Sequence, residues 1–383
     1  MRKGGTVAHI QLVAGLGLAL QPLAPRALAR AAPTNLRDDD ALARAWRDLE
    51  AGAHLPTQCH AFSAALARTL LAGDHIQVFR VADPARPGRI AALAPLCRDD
   101  GLLSRWRMAG ASEVFEPGDA LYDSPESARR LAALIAADPR PLSFDRMAAS
   151  SHLIPALRAA MRGRGLVLVR PAVPCPTIAL DHTWADPESR FNAGRRSDFR
   201  RAARRAQALG AVTFEVLSPT ADAFDALFDE AVRVELCGWK QEAGTAMAVD
   251  RAKQGFFREF FRAACTAGTF RIAFLRIDGV AVAMQMALDW QGRFWLFKIG
   301  YDETFSKCSP GTLLMLHTLG WAARRGLCAY ELLGNVEPWI AAFWTRDQHD
   351  CLRVRTYPFN ARGAAALAAD GAVWLRERIA RGS

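Results

Sequence analysis

The stretch KIGYDETFSKCSPGTLLMLHTLGWAARRG, Lys298 to Gly326, decides how this chain is read. An apolar strand runs into a loop of Lys, Cys, Ser, Pro and Gly and then straight into a helix. Ser309 suits the N-cap, Pro310 the first helical position and Gly326 the end, so a helix is expected from about Pro310 to Arg325. Met315, Leu316, Leu319, Ala322 and Ala323 lie on one side of it. Leu313, Leu314 and Trp321 spread over much of the rest, so this helix is expected to be largely buried. Its start carries a partial positive charge and N–H groups at Gly311, Thr312 and Leu313 that have no partner within the helix. Gly311 lets a ligand approach the backbone, and Lys307 adds a point charge. The turn reads either as an anion site or as an ordinary helix start.

Composition narrows the class. Of 383 residues, 51% are hydrophobic and 23% charged, so the chain has material for a sizeable core. The 49 Lys and Arg against 39 Asp and Glu leave a net charge of +10, which favours anionic partners or reflects an Arg-rich coding style. The eight cysteines form no CxxC and have no His pair at ligand spacing, which argues against a metal or a redox dithiol and fits a reducing, cytoplasmic setting. Arg2 and Lys3 precede an apolar run from Ile10 to Leu20 that Gln21, Pro22 and Pro25 interrupt. Residues 1–37 are read as a leader or disordered extension, with the extension preferred over a secretory signal. No other segment has membrane-spanning length without charges.

From Asp38 the pattern is globular. The first half, residues 38–180, alternates helices with paired strands such as HIQVFRVA and GRIAALAPL around the turn DPARPG. A proline-rich link, RPAVPCPTIAL, ends it. The second half, residues 181–361, opens with NAGRRSDFRRAARRAQALG. Arg200, Arg201, Arg204 and Arg205 recur with helical spacing there, opposite Phe199, Ala202, Ala203, Ala206 and Leu209. This guanidinium stripe is either a solvated face or an anion contact. A strand, two long helices and a three-stranded meander follow, with Asp278-Gly279 and Gln291-Gly292 as tight turns. The quoted helix, a strand CAYELL, a short helix EPWIAAFWTR and a strand CLRVRTYPF complete it, and residues 362–383 form a C-terminal helix or tail.

This order of elements resembles the GNAT acyltransferase fold. The phrase GYDETFSKCSPGTLLMLHTLGWAARRG…YELLGNVEP, with NAGRRSDFRRAARRAQALGAVTFEV and CGWKQEAGTAM, is similar to the Fem-type peptidyl transferase branch that includes the CelD-like proteins named for cellulose and exopolysaccharide synthesis. The resemblance spans about residues 192–360 and is fainter over 38–180. It implies an α/β (α+β) architecture of tandem GNAT-like domains, each with a mixed, mostly antiparallel sheet flanked by helices. It also implies acetyl-CoA or another acyl-CoA as co-substrate, in a splay between RFWLFKIGY and CAYELL, held by Lys298, Ile299, Gly300, Lys307, Ser309, Pro310, Gly311 and Thr312. Fem-type relatives often carry a Lys shortly after the Glu-Pro of the last helix; this chain has Ile340.

Acyl transfer needs a base for the acceptor, a donor for the oxyanion and a donor or dipole for the leaving thiolate. The oxyanion donor in such a fold is a main-chain N–H on WLFKIGY. Glu331 and Glu337 are the candidate bases and Tyr301 the candidate thiolate donor, while Trp239, Lys240, Gly244 and Thr245 are read as an acceptor wall. His317 and Cys308 are read as incidental. The expected function is acyl transfer, with acetyl as the expected group, to an amine or hydroxyl of a sugar, polysaccharide or cell-envelope precursor, with no metal and no DNA. The alternatives are an aminoacyl-tRNA-dependent transferase and a non-catalytic module binding an anionic polymer.

Overall fold

The computed structural model describes residues 34–36, 40–71, 76–98, 103–238, 250–334 and 337–382. Two sheets organise them. The first contains β1 (Thr34–Asn35), β2 (Ile76–Ala82), β3 (Ile90–Arg98), β4 (Trp106–Met108), β5 (Leu121–Tyr122), β6 (Leu142–Ala148) and β7 (Gly165–Pro171). The second contains β8 (Cys175–Ala179), β9 (Val212–Leu217), β10 (Phe270–Ile277), β11 (Val280–Trp290), β12 (Arg293–Tyr301), β13 (Ala329–Glu331) and β14 (Gln348–His349). The last strand, β15 (Cys351–Pro358), returns to the first sheet between β6 and β7. The second sheet has the order β14-β8-β13-β12-β11-β10-β9. Among the described strands only β4 with β6 and β12 with β13 pair in parallel, so both sheets are mixed and mostly antiparallel, as expected.

Local chemistry fixes much of this. Asp278 and Gly279 take φ of 48° and 80°, and Gln291 and Gly292 take 52° and 69°. Those left-handed pairs are the tight turns that match strand twist and close the β10-β11-β12 meander. The helices are α1 (Asp40–Leu49), α2 (His60–Arg68), α3 (Pro125–Ala136), α4 (Leu153–Ala160), α5 (Ala193–Gln207), α6 (Ala221–Leu236), α7 (Arg251–Thr266), α8 (Pro310–Arg324), α9 (Pro338–Phe343) and α10 (Ala361–Gly382). Helix α5 buries Phe199, Ala202 and Ala206 and exposes its arginines; Leu209, expected on the apolar face, lies beyond the helix and is 55% exposed. No helix among the described residues is long and apolar enough to cross a membrane.

Two strands cross the boundary drawn at residue 180. The proline-rich link is itself a strand: β8 pairs antiparallel with β13, and the Leu332 N–H donates to the Pro176 carbonyl at 3.0 Å. Conversely β15, read as the last strand of the second half, pairs with β6 and β7. The halves therefore exchange strands, for a reason no local pattern carries: β8 lies between β13 and β14, and β15 fills the gap between β6 and β7. Packing follows suit. One apolar cluster joins Trp46, Phe62 and Leu66 to Phe224, Phe256, Phe260 and Phe297. Phe62 stands edge-on to Phe256 and Phe260 at 5.2 and 5.3 Å. Each such buried ring is worth about 2–3 kcal/mol, so the halves share one core.

Candidate active site

β12 and β13 run side by side only from Arg293 to Trp295 and from Ala329 to Glu331. Past that point Leu333 and Gly334, at φ of 48° and 50°, turn the chain away and the strands part. On its other edge β12 stays paired with β11 through Tyr301. That register slips: Ala287 faces Leu296 while Met286 faces Lys298, so Phe297 is the extra residue of a bulge. A bulge takes a residue out of the ladder and re-aims its backbone. Beyond Trp295, β13 no longer pairs with β12, and the bulge at Phe297 lies in that stretch.

At the far end of β12 the chain passes a 3-10 turn, Glu303–Cys308, and enters α8 through Ser309 at φ 46°. The expected cap differs in detail. The Ser309 hydroxyl makes no capping bond; its carbonyl accepts from the Thr312 and Leu313 N–H groups at 3.0 and 3.2 Å. The left-handed Ser309 folds its carbonyl back over the first turn, and Pro310 has no N–H. Of the three expected donors, the Gly311 N–H alone has no acceptor among the described residues. A Cβ on Gly311 would meet only Tyr301 Cδ1, at 3.4 Å, so the approach is open. Lys307 is exposed, and its carbonyl accepts from Arg205 Nη1 at 3.0 Å. This contact docks the arginine helix α5 onto the loop. Arg205 and Lys307, far apart in sequence, thereby meet, and Arg200, Arg201 and Arg204 are exposed on α5.

The strand residues divide between the two faces. Lys298 Nζ lies 4.1 Å over the Phe257 ring, and Ile299 packs with the α8-side core. Gly300 permits the close approach of α6: a Cβ there would lie 2.9 Å from the Glu235 Cα. Tyr301 is half-buried against the start of α8. It lies four residues beyond Phe297, about 13 Å along the strand, nearer the anion end than the bulge.

Glu331, expected at the mouth of its strand, is buried at the base of the splay, beside Trp295. Its carboxylate binds Arg293 Nη1 and lies 3.0 Å from His349 Nε2. Burial alone would raise its pKa, but the bonds and charges of His349 and Arg293 hold it below the usual carboxylate value. Arg293 and His349 thus occupy the carboxylate. Glu337 precedes α9, exposed, with no capping bond from its side chain. Trp239, Lys240, Gly244 and Thr245 lie outside the described residues. His317 stacks on Phe214 at 5.0 Å, and burial pushes its pKa down. Cys308 is buried with its thiol on the Phe305 carbonyl, and burial raises its pKa.

Two residues of the first half border the splay, and nothing in the sequence singles them out. Arg146, 3% exposed, donates to the carbonyls of Phe115, Val173 and Gly334 and approaches Cys175 Sγ at 2.9 Å. Glu116, 8% exposed, has Lys298, Arg146 and the Gly334 N–H as its electrostatic neighbours.

Residues 193–340 match the family model of the acetyltransferase (GNAT) domain. Solved structures of the same fold include the C-terminal domain (DUF2156) of a putative lysylphosphatidylglycerol synthetase from Agrobacterium fabrum. It is 13% identical, with 86% of this chain and 95% of that one covered and a TM-score of 0.50. A conserved protein of unknown function from Bacteroides thetaiotaomicron is 10% identical over 82% and 97% of the two chains, with a TM-score of 0.52. FemX is 11% identical over 79% and 92%, also at 0.52. No curated protein matches the sequence. These likenesses extend over both halves, in line with the tandem architecture expected from the sequence.

Proposed function

We propose, from the match of residues 193–340 to the acetyltransferase (GNAT) domain model, that the protein moves an acyl group, acetyl in the simplest case, from coenzyme A to an amine or hydroxyl of a sugar or cell-envelope precursor. The observation that carries this reading is the bulge at Phe297 on a strand edge that β13 has left. The pantetheine lies in the splay between β12 and β13, and a main-chain N–H at the bulge meets the thioester oxygen. The diphosphate lies at the Gly311 N–H and the positive end of α8, with Lys307 and the α5 arginines around it. Tyr301 lines this diphosphate end. Of the two carboxylates expected as bases, Glu337 is the exposed one. A CelD-like role in polysaccharide synthesis rests on the sequence resemblance alone. A cytoplasmic setting fits a donor made there.

Thermal unfolding with acetyl-CoA, longer acyl-CoAs and tRNA tests the reading. Acyl-CoA raises the transition by mass action; a transition unmoved by every acyl-CoA removes the reading's support. The second reading, a donor carried on aminoacyl-tRNA, draws on the exposed arginines of α5 and requires RNA binding that weakens steeply with salt.

A further inference from the structure

Cys175 opens β8 of the second sheet and Cys351 opens β15 of the first, 176 positions apart. No spacing rule links them, yet the fold sets their sulfurs 3.9 Å from each other, in contact as thiol donor and acceptor. Both are free thiols, at 5% and 4% exposure. A disulfide has about 2.05 Å between its sulfurs, so the two must close by about 2 Å. The segments that carry them already run side by side. The Ala172 N–H donates to the Cys351 carbonyl at 2.8 Å, and Cys175 faces His349 in the register of β8 with β14.

The surroundings favour reaction at this pair. Arg146 Nη2 donates to Cys175 Sγ at 2.9 Å. The Cys175 thiol, and after it the Arg146 charge, hold the Cys351 thiol below its ordinary pKa, against burial that works the other way. The thiolate is the nucleophilic form of cysteine, and a neighbouring guanidinium stabilises it. The bond to Cys351 and then burial push Cys175 up, which leaves it a thiol and makes it the resolving sulfur. Cys351 follows directly on the exposed Gln348 and His349 of β14, an edge strand of its sheet. Cys265 and Cys308 differ: their thiols meet the Pro219 and Phe305 carbonyls, and burial raises both.

We propose that Cys175 and Cys351 are a redox-active thiol pair that a peroxide closes to a disulfide between β8 and β15. The Cys351 thiolate attacks one peroxide oxygen, the O–O bond breaks, hydroxide leaves and Cys351 becomes a sulfenic acid. The Cys175 sulfur then attacks the Cys351 sulfur, the S–O bond breaks, and the oxygen leaves as water with the Cys175 proton. The two sulfurs together lose two electrons and the peroxide gains them. This site does not rest on the acyl-transfer reading. It adjoins the splay through Arg146, whose Nη2 also donates to the Gly334 carbonyl at 2.7 Å.

The test is disulfide mapping of the full chain. The folded protein, reduced and freed of reductant, is treated with hydrogen peroxide, quenched in urea with N-ethylmaleimide and digested without reductant. The expected product is a cross-linked peptide pair carrying Cys175 and Cys351, lighter by two hydrogens than the reduced peptides, and dithiothreitol restores both thiols. Cys175→Ser abolishes the cross-link and leaves Cys351 as a sulfenic acid that dimedone captures. Cys351→Ser leaves Cys175 a thiol at the same dose. Oxidation of the exposed Cys237 and Cys328 while Cys175 and Cys351 both still take N-ethylmaleimide would overturn the proposal. So would a cross-link that forms only when peroxide meets the chain already unfolded in urea, or oxidation of Cys175 unchanged in Cys351→Ser. If the serine variants do not fold, mapping of the unaltered chain decides.

Discussion

Arg146 Nη2 donates to the Gly334 carbonyl at 2.7 Å, and this bond ties β6 of the first sheet to the point where the splay of the second begins. The same guanidinium holds Phe115 and Val173, so one side chain fixes three segments of the two halves.

Replacing it should be costly. Arg146→Met leaves the Phe115, Val173 and Gly334 carbonyls without this donor, and a loss of about 3 kcal/mol or more is expected from urea unfolding. Arg146→Lys recovers only part of it, because an ammonium lacks the planar fork. A loss below about 1 kcal/mol for the Met variant would show that the bonds are not what joins the halves.

Two glycines of the site separate stability from binding. A Cβ on Gly300 meets the Glu235 backbone at 2.9 Å, so Gly300→Ala should destabilise by about 1–3 kcal/mol. A Cβ on Gly311 finds ordinary contact with Tyr301, so Gly311→Asp should fold with little change in melting temperature. The aspartate would set a negative charge where the diphosphate is proposed, and the acetyl-CoA shift should vanish. Retained acetyl-CoA affinity in Gly311→Asp moves the cofactor elsewhere.

The trio of buried Glu331 with Arg293 and His349 predicts a signed pH dependence. The hydrogen bond to Glu331 raises the His349 pKa above its ordinary 6.5. A raised histidine adds stability that is fully present below its unfolded value and lost as pH rises through the folded one. Glu331, held low, adds stability that is present above its ordinary 4.5 and lost as pH falls through its folded value. The melting difference between the wild type and His349→Gln should therefore be largest between those two ordinary values and shrink at alkaline pH. A difference that grows with pH would refute the pairing.

Thiol reactivity offers a separate check. Cys308 is buried with a raised pKa, whereas Cys237 and Cys328 are exposed. Alkylation of the native chain, followed by mass spectrometry, should label Cys237 and Cys328 first and leave Cys308 unmodified. Early labelling at Cys308 would mean that the loop before α8 opens readily.

The sequence by itself determined what neighbours along the chain decide. The Asp278-Gly279 turn, the arginine stripe of α5 and the start of α8 at Pro310 are matters of local φ/ψ preference and helical spacing, and all three stand. Tertiary structure decided what depends on distant groups. β8 and β15 changed sheets because a strand's partners are whatever the fold brings beside it, and nothing within either segment encodes that. Glu331 is held below the usual carboxylate value because His349, from β14, and Arg293 reach it across the fold. A carboxylate's chemistry is set by the charges and donors packed around it, and those arrive only when the chain folds.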